Sequence, residues 1–314
     1  MCAVPTGKDS SRSTGFHHQV SPAGGGGCKT HSVNPVALSL LCLLARPPAP
    51  AGSPLSEAPF PPHRIADNLY YVGSEGLASY LVTTSRGHIL INPSFDTTVP
   101  VIKASVEKLG FKFTDVKILL NSHAHDDHVG GMAEAKRLTG GQVLVMRGDD
   151  RTIATGANNR WAPTAVTRVL KDGDKVTLGG VTLTARHTPG HTPGCTTWLM
   201  RVKDAGKNHD VVVVCSPNVN PGVRLVDNKE YPEIAADFEK SFQFWKTIPC
   251  DIPLGAHGNY YGMADKYRRL ASKGANPFVD PAGYKAFIEE REQAFRRRLA
   301  EQQAPQASGV QPGR

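Results

Sequence analysis

The chain predicts an α/β protein in which two sheets pack together with helices outside. Short β-rich runs bounded by turn residues recur from Ile65 onward. The early runs follow one another as a meander, whereas the late ones alternate with helical stretches, and that change of rhythm suits two packed sheets rather than one open sheet. The last helical stretch carries its aromatic and aliphatic residues on one face, as a helix laid over a sheet must.

Taken in order, residues 1–57 are rich in Gly, Ser, Pro and Ala and cannot bury enough apolar surface to order themselves. Within them, residues 36–45 form an apolar run of the length of a secretory h-region, preceded by Lys29 and followed by Ala49-Pro50-Ala51. It is too short to span a bilayer, so the expectation is export to the periplasm or medium without stable membrane insertion. One domain, 58–314, follows. Strands are expected at 68–72, 79–83, 88–92, 116–121, 142–146, 181–187, 196–202 and 211–215. The segment 98–109 reads as a helix ending at Gly110, and 132–138 as one stopping at Gly140. Pro232 opens a third, with Ile234, Phe238, Phe242 and Trp245 at helical spacing. The fourth, 283–300, aligns Tyr284, Phe287, Ile288, Phe295 and Leu299, and the basic run 296–298 suits its C-terminal dipole. Segments 148–161 and 218–228 read as loops.

Of 314 residues, 39% are hydrophobic, enough for a buried core. The net charge of +8 does not mark a nucleic-acid binder. Beyond residue 57 the chain holds 32 Lys and Arg against 26 Asp and Glu, with no basic stripe interleaved with aromatics. The six Cys include no C-x-x-C pair, so a Cys-rich zinc module is excluded. A bridge between Cys195 and Cys215 stays open.

The chemistry concentrates in Asn121-Ser122-His123-Ala124-His125-Asp126-Asp127-His128-Val129-Gly130-Gly131, directly after an apolar strand. Imidazole and carboxylate are donors suited to Zn²⁺. Two His at i and i+2 where a strand runs out can converge on one ion, while Asp127 and His128 turn toward a second. Two further His sit where the backbone is constrained: His191 between two Pro-Gly turns in 188–194, and His257 in Gly255-Ala256-His257-Gly258.

In H-x-H-x-D-H-x-G-G, T-P-G-H-T and the late G-x-H-G, the chain resembles the metallo-β-lactamase superfamily from about Ile65 to the C-terminal helix. In having His128 after the motif Asp, and Ser216 where a ligand Cys stands elsewhere, it is similar to the third subclass of metallo-β-lactamases. The resemblance implies an αββα sandwich of two mixed sheets and two Zn²⁺ per chain. It places His123, His125 and His191 on the first ion and Asp127, His128 and His257 on the second. Cys215, one position from Ser216, is the rival ligand. The implied reaction is hydrolysis of the β-lactam amide by a zinc-activated hydroxide, with Asp127 as the catalytic residue that orients it, acting on a small-molecule substrate as a monomer. Ser216 and Asn218 are the implied substrate contacts, although Asn218 stands where relatives carry a second Ser. Asp126 departs from the apolar residue usual at its position and reads as a solvated or loop-bonding group. The competing reading is another hydrolase of the same fold, acting on a lactone, thioester or phosphodiester. Those branches bridge their metals with an Asp after the strand at 211–215, and this chain has none until Asp227.

Overall fold

Short, almost wholly apolar runs, buried on both faces, build the first sheet. His63–Ala66 (β1), Leu69–Tyr71 (β2), Tyr80–Thr84 (β3), Gly87–Ile91 (β4), Val116–Leu120 (β5), Gln142–Met146 (β6) and Arg168–Leu170 (β7) pair in that order. The pairing is antiparallel from β1 to β4 and parallel from β4 to β7. The second sheet holds Lys175–Leu178 (β8), Val181–His187 (β9), Thr196–Asp204 (β10), Lys207–Val214 (β11) and Ile252–Gly255 (β12). It is antiparallel except for the β11/β12 pair. The computed structural model describes residues 55–272 and 274–304. The leader expected at 36–45 lies outside the described residues, as does most of the 1–57 tail.

The helices are Val99–Lys108 (α1), Asp126–Val129 (α2), Met132–Thr139 (α3), Asp150–Asn159 (α4), Ile234–Thr247 (α5), Met263–Arg269 (α6) and Pro281–Gln303 (α7). None among the described residues is long and apolar enough to cross a membrane.

Because successive strand side chains point to opposite faces, each strand feeds two cores. Tyr80, Val82, Ile89 and Ile91 meet Leu183, Ala185, Trp198 and Val213 between the sheets. Leu81, Leu90 and Leu119 turn outward onto Val99, Ile102 and Val106 of α1 and Met132 of α3. On the far side, Val212 and Val214 pack against Phe238, Phe242 and Trp245 of α5 and Tyr284 and Phe295 of α7. The order helix, sheet, sheet, helix is the expected αββα sandwich. Each fully buried large side chain contributes about 2 kcal/mol of transfer free energy, so the layered burial dominates the fold.

The segment 148–161 corrects the loop expectation, since it contains α4. Gly, Thr and Asn dilute its helical signal. Asp149, at the N-cap position, makes no capping bond there because its carboxylate is engaged elsewhere. The helix expected over 283–300 runs from Pro281 to Gln303, started by Asp280, whose side chain accepts from Gly283 N at 2.9 Å. Cys195 and Cys215 form a disulfide.

Candidate metal centre

The six expected donors leave the C-terminal ends of strands from both sheets. The loop after β5 carries His123 and His125, and α2 presents Asp127 and His128. Asn92, in a left-handed conformation at φ 59°, accepts from Ser122 N at 2.7 Å. Trp198 Nε1 donates to the Asn121 carbonyl at 2.9 Å, and Thr196 N to the Ser122 carbonyl at 2.7 Å. The first loop is thereby tied to the second sheet. His191 sits between β9 and β10, after Gly190 at φ 130°, where any Cβ would meet the Phe238 ring at 2.7 Å. Only glycine lets the loop close on α5. His257 follows β12, and its backbone bridges to Leu77.

These placements bring all six together. Ligand atoms of His123, His125 and His191 lie within 4.8 Å of one another, as do those of His123, Asp127 and His128. His257 Nε2 stands 3.3 Å from His128 Nε2 and 3.5 Å from Asp127 Oδ2, and His128 Nε2 is 3.0 Å from that same oxygen. The donors thus cluster as His123, His125 and His191 beside Asp127, His128 and His257. Cys215 lies near His123, but its sulfur is bonded to Cys195, which corrects its standing as a rival ligand.

The donor set fits a divalent ion such as zinc. The Asn218 carbonyl at 2.7 Å must accept from His191 Nδ1, which leaves Nε2 as a lone pair 3.1 Å from His125 Nδ1. Buried His128 Nδ1 has no hydrogen-bond partner among the described residues. Burial, reinforced by neighbouring imidazoles, pushes His123 well below its usual value and takes His191 down to about 3. Burial also lowers His125. All three are neutral at pH 7, the form that ligates metal. Burial works to raise the Asp127 carboxyl, but His128, His257 and His125 around it hold it well below the usual carboxylate range.

A pH dependence follows for the metal-stripped protein. Folded His123, His125 and His191 titrate below the unfolded value of 6.5. Their contribution to stability is complete above 6.5 and is lost as pH falls through the folded values. The histidines should therefore lower the urea midpoint of the stripped protein between about pH 7 and pH 4, and His191→Gln should make that fall shallower; an unchanged slope would contradict neutral burial of that ring.

A cavity of about 490 Å³ opens over the cluster, lined by His123, His125, Asp127, His191 and His257 together with Leu55, Asp126, Arg160, Asn218, Asn220, Pro221, Asn259 and Tyr260. Ser216 is not among the residues lining it. It is buried, and its hydroxyl lies 3.1 Å from the Tyr260 hydroxyl. Asn218 does reach the cavity, donating from Nδ2 to the Tyr260 hydroxyl at 2.9 Å and accepting on Oδ1 from Arg291 at 3.2 Å. Asp126 bonds Arg160 at 2.8 Å, as its solvated reading anticipates. Tyr260, Arg160 and Asp149 escape the sequence reading. A tyrosine in Gly258-Asn259-Tyr260-Tyr261-Gly262 carries no ligand spacing, an arginine in a Gly/Asn-rich segment reads as surface, and Asp149 in Gly148-Asp149-Asp150 as a turn. Asp149 is in fact buried and accepts from Ala124 N, Thr192 Oγ1 and Gly194 N, each at 2.8 Å. It thereby joins the His125 loop to the His191 loop.

A family model of the metallo-beta-lactamase superfamily matches residues 75–203. The native FEZ-1 metallo-beta-lactamase from Legionella gormanii is 47% identical, with a TM-score of 0.78 over 79% of this chain and 98% of that one. The chain belongs to the metallo-beta-lactamase superfamily. Another member, the class B3 di-zinc metallo-beta-lactamase LRA-12 from an Alaskan soil metagenome, is 31% identical with a TM-score of 0.75, over 80% of this chain and 98% of that one. LRA-12, by its description, is of the subclass that the motifs resemble. A hydroxyacylglutathione hydrolase of Rhodopseudomonas palustris is 30% identical over 118 residues, 35% of this chain and 41% of that protein. The chain spans less than half the length of the first curated relatives it matches. Membership in this metal-dependent superfamily supports a hydrolase.

Proposed function

We propose that the protein hydrolyses the amide bond of β-lactam antibiotics with two zinc ions per chain. The observation that carries this reading is the second triad. Asp127, His128 and His257 close to within 3.5 Å of one another, and the turn after β11, Cys215-Ser216-Pro217-Asn218, supplies neither a free thiolate nor an acid. A nitrogen-rich second site without a bridging Asp favours the β-lactamase branch over the thioesterase and phosphodiesterase branches. Similarity to FEZ-1 along 98% of that enzyme points the same way.

His123, His125 and His191 would hold one ion, and Asp127, His128 and His257 the other. Zinc bound there supplies Lewis acidity toward the lactam carbonyl and a water acidified to near neutrality. The protein's part is placement. The Asp127 carboxylate, ionised and lining the cavity, accepts a hydrogen bond from the attacking water and sets its direction. Asn218 keeps one amide N–H for substrate beyond that given to Tyr260. Burial keeps the Tyr260 phenol protonated, so it closes the cavity wall without adding charge. Leu55 and Pro221 supply apolar contact at the rim. The Cys195–Cys215 bridge suits an oxidising compartment and supports export to the periplasm or medium.

Purified protein should hydrolyse nitrocefin, lose that activity in EDTA and regain it with Zn²⁺, with close to two zincs per chain by elemental analysis. Absence of hydrolysis at full zinc loading would overturn the reading. The match to a hydroxyacylglutathione hydrolase favours one alternative, thioester hydrolysis, and S-lactoylglutathione in the same assay separates the two.

A further inference from the structure

We propose that Arg160 is the anion-recognising residue of the cavity, its guanidinium receiving the carboxylate of the substrate; this rests on the β-lactamase reading. Among the described residues lining the cavity, Arg160 is the only Lys or Arg. The other expected carboxylate contacts are weakened. Ser216 is buried beneath Tyr260, and the Asn218 amide is held by Tyr260 and Arg291, leaving one neutral N–H. A charged, bidentate donor outweighs such a group for a carboxylate.

The placement of Arg160 is specific. It bonds Asp126 Oδ2 through Nη2 at 2.8 Å, and its side chain is 59% exposed, so further guanidinium N–H groups face solvent. Asp126 directly precedes Asp127, so this ion pair fixes the cation beside the reacting centre. The backbone pays for that position: Gly156, Ala157, Asn158 and Asn159 are all left-handed, with φ of 74°, 45°, 58° and 70°. Three consecutive non-glycine residues in that region are strained, and the tight turn returns the chain toward α2.

The test uses zinc-loaded full-length enzyme, Arg160→Ala and Arg160→Lys, with benzylpenicillin and its methyl ester as paired substrates. Arg160→Ala should raise KM for the acid by about ten-fold or more, with kcat within about two-fold and the ester unaffected. Arg160→Lys should restore part of the loss. Calorimetric titration with benzylpenicilloate, the ring-opened product, reads the same contact without turnover, and Arg160→Ala should weaken it by a similar factor. Equal effects on acid and ester, or none on either, would overturn the proposal. A wild-type enzyme that hydrolyses no β-lactam would sink the proposed reaction alone, since the benzylpenicilloate titration still decides on Arg160.

Discussion

Asp127→Ala should reduce kcat/KM for nitrocefin by at least about a thousand-fold, equivalent to about 4 kcal/mol of barrier, while the protein stays folded. The carboxylate is the one anionic donor of the second triad, within 3.0 Å of His128 Nε2 and 3.5 Å of His257 Nε2. Its removal leaves two imidazoles, too few to hold an ion against water. Zinc content should fall from near two toward one per chain, since His123, His125 and His191 are untouched. Stability should change little. Asp127 sits in the short helix α2, and neither of the large helix-packed cores depends on it. Asp127→Asn separates charge from shape: it keeps the volume and should still fail to retain the second zinc. Wild-type turnover in either variant with both zincs bound would remove Asp127 from the chemistry.

How much of this was legible in the sequence depended on whether the information was local. His123, His125, Asp127 and His128 fall within six positions, so spacing alone announces the cluster. His191 and His257 are distant, but Pro-Gly and Gly contexts mark them as residues on constrained turns. The two-sheet architecture was readable from the change of rhythm along the chain and from the family motifs, and strands such as β3 and β4, apolar on both faces, then feed the two cores. What failed was orientation after a strand ends. Cys215 and Ser216 both follow β11, yet Cys215 is bonded to Cys195 and the buried Ser216 hydroxyl meets the Tyr260 hydroxyl. Tyr260 and Arg160 act through neighbours dozens of positions away, and single-chain patterns carry no trace of such contacts. Helix α4 was lost for another reason. Its Asp149 does not cap, and its left-handed end is held by tertiary structure against local propensity.

Asp149 gives the second large effect. Asp149→Ala should cost on the order of 4 kcal/mol, because three donors at 2.8 Å, Ala124 N, Thr192 Oγ1 and Gly194 N, would be left buried without an acceptor. The melting temperature should drop by about 10 °C. Ala124 lies between His123 and His125, and Thr192 follows His191, so the same loss loosens the first zinc triad and should weaken that site ahead of the second. Asp149→Asn keeps the shape but turns an amide N–H toward a donor, and its deficit carries a pH signature. Burial pushes the Asp149 carboxyl up to about 6 from 3.8, against the pull of its three hydrogen bonds. A folded value above the unfolded one means that protonation favours the folded state, and this contribution is lost as pH rises from 3.8 through 6. Asparagine does not titrate. In metal-stripped protein the stability advantage of wild type over Asp149→Asn should therefore shrink as pH rises across that window, with the histidine effects common to both cancelling. An advantage that grows with pH would show that the hydrogen bonds, and not burial, govern this carboxyl.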